Sequence, residues 1–198
     1  MTRFRRLLLS ALVLGLVAAV AGAATFSAFS DTTANAGNTF ASGTVTLTDN
    51  DGGGTLLSLT NATPDETATG CIKVTYSGSL AADVKLFGSV SGALAPYLTL
   101  KVTRGTDSGG TFPGCGSFTA DTRDYAGQGA GVIYHGNLSG YPSSYAAGIT
   151  DPENSTGDPE TWNTSEVHAY KLEVTLQNDS AAQGQSASAS FTWEARNQ

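Results

Sequence analysis

From Tyr170 to Leu176 every second residue is large and apolar: Tyr170, Leu172, Val174 and Leu176 alternate with Lys171, Glu173 and Thr175. A period of two places one set on each face of an extended strand, so this stretch suits a sheet with one buried face and no helix. The pattern recurs. Val45 and Leu47 alternate with threonines, Ile72, Val74 and Tyr76 share a face, and so do Leu98, Leu100 and Val102. Phe191 and Trp193 alternate with Thr192 and Glu194 near the end of the chain. Further strands are expected at 56–61, 83–90 and 132–135, with turns by composition at 49–54 and 63–66. Helical periodicity is nearly absent, one helical turn being expected near Tyr145. The chain therefore reads as all-β, a jelly-roll-like antiparallel β-sandwich of about eight or nine strands. Two long irregular stretches, 104–131 and 139–164, interrupt it.

The first 24 residues have the form of an export signal. Arg3, Arg5 and Arg6 are followed by an apolar run from 7 to 20 and by the small residues Ala21, Gly22 and Ala23. Cleavage can fall after Ala23 or near Ser27 and Ala28; an uncleaved membrane anchor is the competing reading. Residues 25–38 then form an extended segment with a polar hinge, and 39–198 the β-domain. Loss of the signal removes three of ten basic residues and takes the formal charge from −7 to −10. So acidic a chain lacks the positive face that nucleic acid or an anionic membrane requires. Outside the cytoplasm Cys71 and Cys115 are expected to pair. Their disulfide would close a loop of roughly 45 residues and stabilise the fold by about 4 kcal/mol through loop entropy.

Motifs for catalysis are scarce. There are two histidines, His135 and His168, and neither lies in a His-Glu-x-x-His pattern. A composite of His135, His168 and Glu166 is conceivable if their strands adjoin, but ordinary strand histidines are the better reading. No Gly-x-Ser-x-Gly elbow is present. Asp49 and Asp51 open a turn that begins like a calcium loop and lacks its closing glutamate, and Asp151, Glu153, Asp158 and Glu160 crowd another. Calcium is the one cofactor these clusters suggest, against the plainer reading of solvated acidic turns. Asn-x-Ser/Thr triplets begin at Asn61, Asn137, Asn154, Asn163 and Asn178 and arise easily in a chain so rich in Ser and Thr. Loop aromatics Tyr141, Tyr145 and Trp162 suit either a binding surface or a satellite core.

The stretch Phe29-Ser30-Asp31-Thr32, followed by Gly37-Asn38-Thr39-Phe40-Ala41-Ser42-Gly43-Thr44-Val45-Thr46-Leu47, resembles the opening of the TasA/camelysin family of exported proteins. The likeness continues at 61–65, at Ser77-Gly78-Ser79-Leu80 and in the final Phe191-Thr192-Trp193-Glu194-Ala195, but not across 104–164. The resemblance implies a jelly-roll domain, processing by a dedicated signal peptidase and a place at the cell surface or in the extracellular matrix. For TasA-like members it implies biofilm-matrix fibres built by N-terminal strand donation; for camelysin-like members, metal-dependent endopeptidase activity.

Between these, the residues favour assembly over catalysis. An extended segment can satisfy the unpaired amides and carbonyls of a sheet edge while its alternate apolar side chains fill the groove beside it. Phe26, Ala28 and Phe29 are the expected docking residues, and Asp31, Gly37 and Asn38 belong to the hinge that lets the segment reach a neighbour. The expected partner is another copy of the chain, with other matrix proteins possible in addition. The alternatives are the endopeptidase and a monomeric binding module.

Overall fold

Strong alternation produces five strands of ten residues, and these carry the architecture. The computed structural model describes residues 43–197. The signal, the expected docking residues Phe26, Ala28 and Phe29, and the hinge residues Asp31, Gly37 and Asn38 lie outside the described residues. In chain order the strands are β1 (Leu47–Asp49), β2 (Thr67–Tyr76), β3 (Ala82–Ser91), β4 (Leu98–Asp107), β5 (Phe118–Ala120), β6 (Val132–Asn137), β7 (Ile149–Thr150), β8 (Thr161–Trp162), β9 (Val167–Leu176) and β10 (Ser188–Asn197). Every pairing is antiparallel. One sheet runs β1-β2-β9-β4, and the far edge of β4 is shared by β6 along its first half and β5 along its second. The other sheet is β10-β3, with the two-residue strands β7 and β8 on the second edge of β3.

Alternation decides what lies between the sheets. Ile72, Val74 and Tyr76 of β2, Leu98, Leu100 and Val102 of β4, and Tyr170, Leu172, Val174 and Leu176 of β9 are all buried there. They pack against Ala82, Val84 and Leu86 of β3, with Phe191, Trp193 and Ala195 of β10 partly buried alongside. This is the expected sandwich. The short β5, β7 and β8 raise the count to ten among the described residues, because strands of two or three residues leave no periodic trace in a sequence. The helical turn expected near Tyr145 is the 3-10 turn Tyr145–Ala147.

Two expectations need correction. Residues 56–61 form no strand; Leu56, Leu57 and Leu59 lap over the core as partly buried cover. The β2 edge such a strand would need is already used: by β1 at Val74–Tyr76, by the Asn50 side chain at the Lys73 amide (2.8 Å) and by the Pro113 carbonyl at the Cys71 amide (2.9 Å). Arg104, expected to open a long loop, instead lies inside β4, which runs on to Asp107. The loop beyond is fastened to β2 by the disulfide Cys71–Cys115, whose Cα atoms are 5.2 Å apart.

Candidate functional site

Two features stand out between and beside the sheets. The first is an edge. β10 pairs with β3 along all ten of its residues, but among the described residues no backbone group pairs with its other edge. Its inward side chains include Trp193, which packs against Tyr170 at 5.3 Å between ring centroids. The indole Nε1 of Trp193 is buried without a hydrogen-bond partner among the described residues. The chain reaches the sandwich close by. The Thr44 carbonyl accepts from the Ser79 and Leu80 amides (2.8 and 3.3 Å), just ahead of the Ala82–Asn197 pair that ends the β3–β10 ladder.

The second feature is an ionic cluster at the same end of the sandwich. It follows from the parity of two strands. Leu98, Leu100 and Val102 point inward, so Arg104 does too; Leu176, Val174, Leu172 and Tyr170 point inward, so His168 does too. In register Arg104 faces Tyr170 across the β4–β9 ladder. Gly131, at φ 74°, supplies the carbonyl that accepts from the Arg104 amide (2.7 Å), beside the bulge where β6 shifts against β4. Any side chain at Gly131 would be strained in this left-handed conformation.

At the centre lies Asp151, with no exposed surface. Its carboxylate accepts from Arg104 Nε (3.1 and 3.2 Å to the two oxygens), Trp162 Nε1 (3.0 Å) and the Tyr170 hydroxyl (2.7 Å), and it lies 2.7 Å from His168 Nδ1. Arg104, only 4% exposed, also donates through Nη1 to Asp121 and through Nη2 to Glu160 (3.2 Å). Tyr125 donates its hydroxyl to Asp121 (2.8 Å). Burial works against the charge on Arg104, yet Asp151 and Asp121 outweigh it and its pKa is raised. Burial, reinforced by Asp151, lifts Tyr170 well above the ordinary tyrosine range and keeps its hydroxyl a donor. A buried charge set of this kind is stable only when every member is matched.

Toward solvent the cluster ends in Glu160, Glu166 and His168, whose ligand atoms all lie within 4.8 Å of one another. The turn at 163–166 presents Glu166. The Asn163 amide donates to Glu166 Oε2 (2.7 Å), and Ser165, at φ 72°, brings its own amide to the Tyr76 carbonyl (2.8 Å). His168 Nε2 is 3.2 Å from Glu166 Oε1. Burial and then the neighbouring Glu166 raise the pKa of Glu160.

The structure redistributes the residues singled out from sequence. Asp151 is separated in environment from Glu153 and Asp158: its oxygens are occupied by core donors, whereas Glu153 accepts from Thr156 (2.6 Å) in a surface turn. Asp151 therefore does not join those two as a calcium ligand. Asp49 and Asp51 use their Oδ1 atoms on the amides of Asp51 (3.1 Å) and Gly53 (2.6 Å), ordering their own turn. His135 does not join His168. It lies opposite Lys101, on the outer face of the sheet, with its Nδ1 3.1 Å from Gln128, while His168 faces inward. Glu166 and His168 do come together. Tyr141 and Trp162 are interior residues, Tyr141 meeting Tyr134 and Phe191 edge-on, whereas Tyr145 lies beneath Arg196 at 3.9 Å. The parts that sequence reasoning missed, Arg104 and Asp121, left one usable signal: Arg104 continues the inward parity of Leu98, Leu100 and Val102. Neither the protein-family models nor the curated proteins contain a match to this chain.

Proposed function

We propose that this protein is a secreted structural subunit of extracellular fibres or matrix, in which the apolar segment around Phe26, Ala28 and Phe29 of one copy pairs with a sheet edge of the next. The observation that carries this reading is the β10 edge, ten residues long and unpaired among the described residues. An edge of that length offers a row of amides and carbonyls to an incoming strand. The indole of Trp193 lies along the same strand with its donor unpaired among the described residues. The strong acidity of the chain and its resemblance to TasA-like proteins point the same way, as does a disulfide suited to an oxidising compartment. Burial of each phenylalanine would contribute about 1.5–3 kcal/mol, and each added backbone hydrogen bond about 1 kcal/mol.

The test is to purify the processed protein, determine its N-terminus, and follow its size over days by sedimentation and electron microscopy. Polymers are expected from the intact chain and not from one lacking residues 24–30. A synthetic peptide of residues 24–38 added in excess is expected to cap growth. An intact N-terminus on a protein that stays monomeric at every concentration would end the proposal.

A further inference from the structure

We infer that Glu160, Glu166 and His168 form a binding site for a first-row divalent cation, with zinc the best fit. Three lines of geometry carry the inference. The first is the donor set. One imidazole and two carboxylates, with ligand atoms within 4.8 Å of one another, make the mixed nitrogen and oxygen shell that zinc accepts, and leave a fourth position for water.

The second lies behind the histidine. His168 Nδ1 is 2.7 Å from Asp151 Oδ2, a carboxylate with no exposed surface. Asp151 thereby takes the Nδ1 side of the ring and turns Nε2 outward, the arrangement by which a carboxylate supports a metal-bound histidine. Yet Nε2 faces Glu166 Oε1 at 3.2 Å. A proton on Nε2 spans that gap as a hydrogen bond, and a metal ion taking the proton's place would bind both atoms. Arg104 does not fill the place. Its Nη2 is 3.0 Å from both ring nitrogens, which puts it over the face of the ring and out of line with either lone pair.

The third is construction and access. Each donor is held by a different piece of chain: the Glu160 amide bonds the Asp151 carbonyl (2.8 Å), Glu166 is held by the Asn163 amide, and His168 is anchored in β9. The inner wall is closed by Arg104 and Trp162. On the outer side the glutamates keep 19% and 24% of their side chains exposed, which provides a route in. A cation there would join the short β8, the turn at 163–166 and β9.

The test uses the full untagged protein, since its two histidines give a built-in control. Zinc is titrated at physiological salt in competition with a chromophoric chelator, and Co²⁺ is titrated while the imidazole carbon-bound proton signals are followed by NMR. One Zn²⁺ per chain is expected. Glu160→Gln and Glu166→Gln should each weaken it by at least about tenfold, the loss that even supporting residues around a metal can cause. Glu153→Gln, a nearby surface glutamate, should leave the affinity unchanged. Co²⁺ should shift or broaden the signals of His168 and spare those of His135. No saturable zinc binding, equal affinity in Glu166→Gln, or Co²⁺ acting on His135 alone would each overturn the assignment. If a glutamine variant fails to fold, the histidine signals of the unaltered protein still decide.

Discussion

The two halves of the interior are built on the same pair of strands and solve the packing problem in opposite ways. At one end of the β4–β9 ladder Leu98 faces Leu176 and Leu100 faces Val174, and the sheets meet mainly through apolar side chains. Two steps further along, Arg104 faces Tyr170 and the space between the sheets is filled by Asp151, Asp121, Trp162 and His168. The apolar end is left open: a cavity of about 700 Å³ lies there, walled by Leu57, Leu59, Leu98 and Phe191 on one side and by polar residues such as Asn61, Gln177 and Asp179 toward its mouth. The ionic end is closed and matched partner by partner. Apolar packing is non-directional and tolerates a gap, whereas a buried charge without its partner carries a desolvation penalty of several kcal/mol. The open end can therefore vary in shape, while the ionic end must be complete to exist at all.

This contrast can be broken most sharply at Arg104. Arg104→Met leaves Asp151 and Asp121 buried without their counter-charge, and we expect a loss of about 3–5 kcal/mol in urea unfolding. A loss below 1 kcal/mol would mean that the cluster rearranges freely and is not the rigid end. Next in size is the disulfide. The double variant Cys71→Ser, Cys115→Ser should lose about 4 kcal/mol, checked by chemical denaturation beside the oxidised protein. It should do so without disturbing the Arg104 contacts, since the tie lies between β2 and the loop before β5.

Leucine truncation then tests the open end against the closed core. Leu100→Ala, in the fully buried row, should cost about 3 kcal/mol, whereas Leu57→Ala, at the rim of the cavity, should cost about 1 kcal/mol because its surroundings are already open. Equal costs would show that the cavity is filled in solution. The smallest effect lies on the outer face of the β4–β9 pair. Glu173 is partly buried, which by itself would raise its pKa, but Lys101 (2.8 Å) and Lys171 (3.4 Å) prevail and lower it. A lowered carboxylate pKa adds stability above the ordinary glutamate range and loses it as pH falls through the folded value. Glu173→Gln should therefore cost less than about 1 kcal/mol at pH 7, and the difference from the unaltered protein should vanish in acid below that range. A difference that grows on acidification would reverse the assigned sign.

The alternating segments were legible because a strand with one buried face must repeat every two residues, whatever its neighbours. That rule placed Leu98, Leu100 and Val102 together, and likewise Tyr170, Leu172, Val174 and Leu176, and export chemistry favoured the pairing of Cys71 with Cys115. The ionic cluster was hidden for a physical reason. Arg104, Asp121, Asp151, Glu160 and His168 are separated by up to 64 positions, and each looks like a surface residue until another strand brings its partner. Polarity alone placed Asp151 in a solvated turn; burial put it at the centre.

By itself, then, the sequence determined the faces: which residues of each strand turn toward a core, and that two sheets must supply it. Tertiary structure decided the partners: which edge of β2 was blocked, that β10 kept one edge unpaired among the described residues, and that one arginine could be sealed inside. Side-chain direction is a local property of an extended backbone, whereas the matching of charges and of edges depends on segments that are distant in the chain.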